Sequence, residues 1–167
     1  SRSRLRTLLE GGAEAAAKKL RLRLGLGAEE SAESIAADAC ADGAFDELSL
    51  RRAAVAMLKG GKTDRAHGEV IAAWLATFAA ERVRNFPDYL AAFFTEDGEG
   101  DAFKRLIHKE ALKLAAGADG VLATEAERLE AVRQRLRAAR THAHSLALLR
   151  FADALLSEYE HAKERHA

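Results

Sequence analysis

Hydrophobic residues recur along this chain at the spacing of α-helices. Between Ala66 and Thr95, Val70, Trp74 and Phe78 lie four residues apart, and a second apolar series follows Pro87. Side chains three or four residues apart share one face of a helix, so the pattern predicts two core-facing helices. This stretch holds six of the ten aromatic residues. Because aromatic side chains bury large areas, we expect the two helices to supply much of the hydrophobic core.

The same spacing predicts three helices before this aromatic pair. They cover residues 4–24, 29–41 and 46–59, with a break in the first at Gly11-Gly12. A short helix is expected before a turn at residues 117–120. The chain has one proline and few β-branched residues, so a large sheet is not expected.

The last part of the chain predicts a long helix that begins at Thr124. A polar stretch at residues 141–145 either breaks this helix or forms one of its turns. We therefore predict an all-α fold, a single compact domain of six to eight helices over residues 1–167. The long helix carries two apolar stripes: Leu129, Val132, Leu136 and Ala139, followed by Leu148, Phe151, Leu155 and Tyr159.

The charge and composition of the chain exclude few classes of protein function. The chain has 26 basic and 26 acidic residues, but a nucleic-acid-binding protein needs a basic face rather than a basic total. Its single cysteine, Cys40, has no intramolecular disulfide partner, which fits a reducing compartment. No apolar run approaches the ~20 residues that cross a bilayer, and no signal-peptide pattern opens the chain. We expect a cytoplasmic protein, and a segment excised from a longer chain because it begins without methionine.

Two stretches begin like ligand-binding loops and then depart from them. Gly61-Lys62-Thr63 ends like a phosphate-binding loop, but Ala56 stands where glycine is required and no strand precedes it. We predict a helix-ending turn there, with Thr63 or Asp64 capping the next helix. The series Asp97, Glu99 and Asp101 begins like a calcium loop. Ala102 and His108 then stand where glycine and a bidentate glutamate are required.

The six histidines lack the spacing of metal ligands. With one cysteine in the chain, a zinc site is not expected. We therefore predict no metal-binding and no catalytic residues in this chain.

The strongest electrostatic feature is the arginine-rich segment 128–140. Within it, Arg133, Arg137 and Arg140 fall at positions i, i+4 and i+7, so they share a helix face that suits phosphate groups. The alternative is a solvated face whose arginine stems cover apolar surface. No basic cluster is interleaved with exposed aromatic residues, so base stacking is not predicted. Smaller basic clusters are Lys18, Lys19, Arg21 and Arg23, and Lys104, Arg105 and Lys109.

Three stretches, in their order and spacing, resemble a known family. The first is Gly60-Gly61-Lys62-Thr63-Asp64, followed by Ala73-Trp74-Leu75. The second is residues 89–95, followed by Gly98-Glu99, Lys104-Arg105-Leu106-Ile107 and Lys109. The third is residues 148–156, followed by Tyr159-Glu160 and Lys163. The family is AddA, the helicase–nuclease subunit of bacterial double-strand-break repair, related to the UvrD and RecB helicases. Phe94 departs from it where leucine is expected, and Gly100-Asp101 where Pro-Arg is common.

The resemblance implies the helical insertion of the first motor domain, called subdomain 1B, which lies beside the DNA track. It implies DNA, the remaining helicase domains and an AddB-like subunit as partners. ATP and magnesium are implied for the parent protein, and no cofactor is expected in this fragment, which carries no catalytic motif. We therefore expect an accessory subdomain that guides DNA through phosphate contacts. The alternative is a helical protein–protein module that holds a partner subunit through an exposed apolar or aromatic strip.

Two sets of residues are predicted to contact DNA under this hypothesis. The first set is Arg133, Arg137 and Arg140, on one face of the late helix. The second set is Lys62, Lys104, Arg105 and Lys109. The aromatic helices between residues 66 and 95 are expected to keep the subdomain rigid.

Overall fold

The computed structural model describes residues 11–94 and 107–165. These residues contain eight helices, which confirms the predicted all-α fold with a long C-terminal helix. They are α1 (Gly12–Arg23), α2 (Ala32–Cys40), α3 (Glu47–Leu58), α4 (Lys62–Leu75), α5 (Ala79–Arg84), α6 (Phe86–Phe93), α7 (Lys109–Leu112) and α8 (Ala118–Arg165).

The residues fall into two compact units. The central unit is Glu33–Arg133, and the terminal unit comprises Ser1–Ala32 and Gln134–Ala167. Helix α8 contributes its first part to the central unit and its remainder to the terminal unit. The assignment of the whole chain to a helicase insertion stays a prediction.

The core of the central unit is built around Tyr89 on α6. Its ring stacks on Trp74 of α4 with centroids 3.8 Å apart, and Phe93 meets it edge-on at 5.1 Å. All three rings are buried. Such aromatic pairs contribute beyond the area that they bury. The prediction that the aromatic stretch forms the core is therefore confirmed.

Two residues of the predicted aromatic stripe are not part of this core. Val70 is exposed, and Phe78 is 86% exposed. Helix α4 ends at Leu75, and Phe78 takes the N-cap position of α5 in an extended conformation. Because the helical register stops before Phe78, the four-residue spacing does not place it on the buried face. The stripe prediction is wrong at these two positions.

Helices α3 and α4 form a close pair around Gly68. A Cβ atom at Gly68 would lie 2.9 Å from Cβ of Met57 and 3.2 Å from the carbonyl oxygen of Ala54. Only a residue without a side chain allows the two backbones to approach in this way. At the start of α3, the Asp46 side chain accepts a hydrogen bond from the Ser49 amide at 3.0 Å, as an N-cap.

Helix α8 begins earlier than the sequence predicts. Its first residue is Ala118, directly after Gly117, whose φ of 83° lies in the left-handed region that glycine adopts readily. Thr124 therefore lies inside the helix and does not cap it. The polar residues 141–145 are continuous helix, which decides between the two alternatives for that stretch.

The terminal unit is held by close packing of α1 against α8. The buried residues Ala13, Ala16 and Ala17 of α1 are small, and buried His142 of α8 donates from Nε2 to the Ala17 carbonyl at 3.2 Å. The Arg21 guanidinium lies 3.4 Å from Nδ1 of His142. Since a guanidinium only donates, Nδ1 accepts and the ring proton is on Nε2.

The turn after α1 is closed by the same arginine. Arg21 donates to the carbonyl oxygens of Gly27 and Glu30, both at 2.8 Å. Gly25 follows the C-cap of α1 with a φ of 68°, the left-handed conformation in which glycine commonly ends a helix. The part of the predicted first helix before Gly11 lies outside the described residues. No described helix is long and apolar enough to cross a membrane.

Substitution of Gly68 tests the α3–α4 packing. We expect Gly68→Ala to lower the free energy of unfolding by about 1–2 kcal/mol, because the added methyl group overpacks the contact. Gly120→Ala is the matched control, since this glycine is also helical and a Cβ there meets nothing within 4 Å. It should instead stabilise by up to about 1 kcal/mol. Urea unfolding measures both, and equal effects of the two substitutions would contradict the packing.

Candidate nucleic-acid interface

The structure sorts the arginines of the 128–140 segment by what they contact. Arg128 is drawn into the central unit, where its Nε and Nη2 atoms donate to the Glu125 carboxylate at 2.8 and 2.7 Å. It also donates to the Ala39 carbonyl at 3.1 Å. Glu125 is 4% exposed and accepts the Tyr89 hydroxyl at 2.9 Å. These contacts connect α2, α6 and α8, so Arg128 is a structural residue.

Burial and charge shift the pKa values of this group. Burial, followed by the charge and hydrogen bond of Glu125, raises the pKa of the Tyr89 hydroxyl, so it remains a donor. Burial lowers the pKa of Arg128, whereas the hydrogen bond and charge of Glu125 raise it, and the overall direction is upward. The guanidinium therefore stays protonated beside its carboxylate.

Arg82 is a second structural arginine of the central unit, and no pattern in the sequence predicts it. It is 4% exposed, and its guanidinium lies 5.3 Å from the ring centroid of Phe45 and 5.6 Å from that of Trp74. It donates to Asp42 at 2.8 Å. Its own carbonyl accepts the Trp74 indole N–H at 3.0 Å. No periodicity marks such an arginine, because α5 is only six residues long.

Arg133 is the least available member of the predicted phosphate-contacting set. Its guanidinium pairs with Glu130 at 2.9 Å and lies 4.1 Å from the ring centroid of Phe94. Its side chain is 20% exposed. A phosphate would have to compete with both contacts. Contact between Arg133 and DNA stays a prediction. The loss of these two contacts would reduce the free energy gained from binding a phosphate there.

Arg137 and Arg140 differ from the other arginines of this segment. Both side chains are exposed on the terminal unit, and neither forms an ion pair with any residue from 11–94 or 107–165. Arg135, between them and Arg133 along the helix, pairs with Glu30. Residues three apart face the same side of a helix, so Arg137 and Arg140 present two free guanidinium groups together.

The structure brings two predicted lysines onto neighbouring turns of the central unit. Lys62 is the first residue of α4 and Lys109 the first of α7, and both are exposed. The buried Asp64 carboxylate joins the turns: it accepts the backbone N–H of His108 at 3.3 Å and its Nδ1–H at 2.6 Å. Lys104 and Arg105, the other members of this set, lie outside the described residues.

Asp64 therefore binds His108 and does not cap helix α4. The N-cap of α4 is Gly61, so the predicted cap at Thr63 or Asp64 is wrong. A Cβ atom at Gly60 would lie 2.7 Å from the Asp64 carboxylate and 3.0 Å from Cβ of Ala111. The Gly60-Gly61 turn is thus shaped by close packing onto α7.

The second apolar stripe of α8 is on the surface of the terminal unit. Leu148, Phe151, Leu155 and Tyr159 are 70, 65, 55 and 50% exposed. The first stripe is buried, as a stripe at helical spacing normally is. Arg137 and Arg140 precede the exposed Phe151 on one helix face, so this aromatic residue follows the two basic residues along α8 rather than alternating with them. Periodicity alone does not reveal whether a stripe has a neighbour.

Metal ligands do not converge in the part of the chain that the structure describes. There, no group of three or more His, Cys, Asp and Glu residues could hold a metal ion. The acidic residues Asp97, Glu99 and Asp101 lie outside the described residues.

No protein-family model, curated protein or solved structure matches this chain. The likeness to AddA therefore stands on the three stretches of sequence alone.

The pKa of the Cys40 thiol depends on its burial in the central unit and on the charges near it. Burial raises its pKa to about 11, while Arg128 and Arg82 act in the opposite direction. The folded state therefore keeps the thiol proton at pH values where the unfolded thiol, with its ordinary pKa near 9.0, has lost it. This contribution to stability is complete below about pH 9 and is lost as the pH rises towards 11.

We expect the free energy of unfolding to fall more steeply between pH 9 and 11 in the wild-type protein than in Cys40→Ala. The extra loss should be on the order of 2 kcal/mol. Chemical unfolding of both proteins at several pH values gives the comparison, and titrating lysines and tyrosines cancel in the difference. Parallel pH profiles would show that the thiol is not buried as described.

Proposed function

We propose that this chain is an accessory helical subdomain of an ATP-dependent DNA helicase–nuclease of the AddA type. Its own part is to bind DNA phosphates and guide the strand, in the cytoplasm. The observation that carries this proposal is that Arg137 and Arg140 are exposed and form no ion pair with the residues that the structure describes. The ordered resemblance of the three sequence stretches supports the parent family.

Physical chemistry favours phosphate as the ligand of these two arginines. The guanidinium group is weakly hydrated and presents a planar fork of donors that matches phosphate oxygens. Arg82, Arg128 and Arg135 each have a carboxylate partner, so the chain pairs its arginines where packing allows. Two arginines close together on one helix, without such a partner in the described part of the chain, leave a local positive charge, which attracts a polyanion.

The remaining functions belong to the parent protein in this proposal. ATP and magnesium bind its motor domains, and an AddB-like subunit completes the complex. Lys62 and Lys109 form a second basic site on the central unit, and their neighbouring turns support a shared contact with the phosphate backbone. A second candidate function, a protein–protein module, is favoured by the exposed stripe of Leu148, Phe151 and Leu155.

Neutralising the two arginines tests the DNA-binding role. We expect Arg137→Ala/Arg140→Ala to weaken binding of forked DNA and to reduce the log–log salt slope by about one unit for each lost phosphate contact. Fluorescence anisotropy over a range of salt concentrations measures both quantities. Arg52→Ala is the control, because Arg52 is an exposed arginine of α3 outside the proposed site.

The same pair of substitutions in the full-length parent protein gives the second test. We expect slower unwinding with unchanged ATP turnover per bound enzyme, because the motor is untouched. If forked DNA binds the double variant and the wild-type chain alike, with equal salt slopes, the role in DNA binding is wrong.

A further inference from the structure

One continuous face of α8 runs along the terminal unit. Its seven residues follow each other at steps of three or four, so they remain on one side of the helix. The face is about 33 Å long at the usual helical rise. Its members, all within the terminal unit and here called the α8 face, are Arg137, Arg140, His144, Leu148, Phe151, Leu155 and Tyr159.

The α8 face has a basic half and an apolar half. At one end, Arg137 and Arg140 supply two charges that have no ion-pair partner among residues 11–94 and 107–165. The exposed Phe151 ring lies in the other half, eleven residues from Arg140 or about 16 Å along the axis. Exposure of this apolar half is unfavourable in water, so a binding partner that covers it gains hydrophobic stabilisation.

We propose that the α8 face binds single-stranded nucleic acid, with phosphates on Arg137 and Arg140 and unpaired bases on Phe151. This inference rests on the proposed function and narrows its substrate from DNA in general to the unpaired strand. A single strand offers anionic phosphates and flat, largely apolar base faces along the same chain. It therefore complements both halves of the face at once.

Duplex DNA complements only the basic half of the α8 face. Its bases are stacked inside the helix, so the surface that meets the protein is mainly phosphate and sugar. Phe151 and Leu148 would stay in water or desolvate phosphates without gain. A partner helix would suit the apolar half, but Arg137 and Arg140 would then need acidic partners on that helix.

The two charged side chains nearest to Phe151 along α8 do not oppose a base at that ring. Arg150 pairs with Glu14 at 2.7 Å, and Asp153 accepts the Ala13 amide at 3.4 Å, so both side chains are held by α1. The Phe151 ring is thereby left between side chains that are already engaged. The half-exposed Tyr159 ring lies further along the same face.

Substitution of Phe151 separates stacking from phosphate binding. We expect Phe151→Ala to weaken binding of a fluorescent oligothymidylate of about 16 nucleotides by roughly fivefold to a hundredfold. Binding of a duplex of equal length and the salt slope should not change, because phosphate contacts remain. Phe151→Trp should restore the affinity. Phe78→Ala is the matched control, since Phe78 is an exposed phenylalanine of the central unit.

Each contrary result has a distinct meaning. If Phe151→Ala binds the oligonucleotide like wild type while Arg137→Ala/Arg140→Ala binds it weakly, stacking is wrong and the proposed phosphate contact stands. If the wild-type chain binds the duplex but no single strand at low salt, the inference is wrong and the proposed function stands. If it binds neither, both proposals are wrong. If Phe151→Ala changes the mass of the chain in sedimentation and leaves DNA binding unchanged, the face is a protein interface and the inference is overturned.

Discussion

The buried ion pair between Glu125 and Arg128 is the interaction on which the central unit depends. Glu125 also accepts the Tyr89 hydroxyl, and Arg128 also binds the Ala39 carbonyl. The pair therefore links the aromatic core to α2 and to the first turns of α8. Loss of one partner of such a pair typically costs about 3–5 kcal/mol, because the other charge is left buried. Arg128 donates three hydrogen bonds and Glu125 accepts three, and together these bonds specify one position of α8 within this unit.

This pairing also decides which basic residues are free to bind another molecule. Arg128, Arg82 and Arg133 each have a carboxylate and an aromatic neighbour, so their charges serve the fold. The zero net charge of the chain thus hides a division between paired and unpaired arginines. Arg137 and Arg140 are unpaired within the described residues, and they precede the exposed apolar residues Leu148, Phe151 and Leu155 on the same helix.

Much of the fold was predictable because residues three or four apart in sequence share one face of a helix, whatever surrounds that helix. The buried stripe from Leu129 to Ala139 and the aromatic core followed from spacing. Other features depend on neighbours that spacing does not specify. Phe78 lies outside the core because α4 ends before it. Asp64 binds His108, which is 44 residues away in sequence. For the site, the spacing of the arginines was predictable, but the pairing of Arg133 and the exposure of Phe151 were not, since both depend on tertiary contacts.

The most direct test of this division is to observe the arginine side chains while DNA binds. In an NMR titration of the chain with forked DNA, the Nε–Hε signals of Arg137 and Arg140 should shift and saturate together. Those of the paired residues Arg82 and Arg128 should stay in place. If the Arg137 and Arg140 signals do not move at saturating DNA, or if all the arginine signals move alike, the account is contradicted.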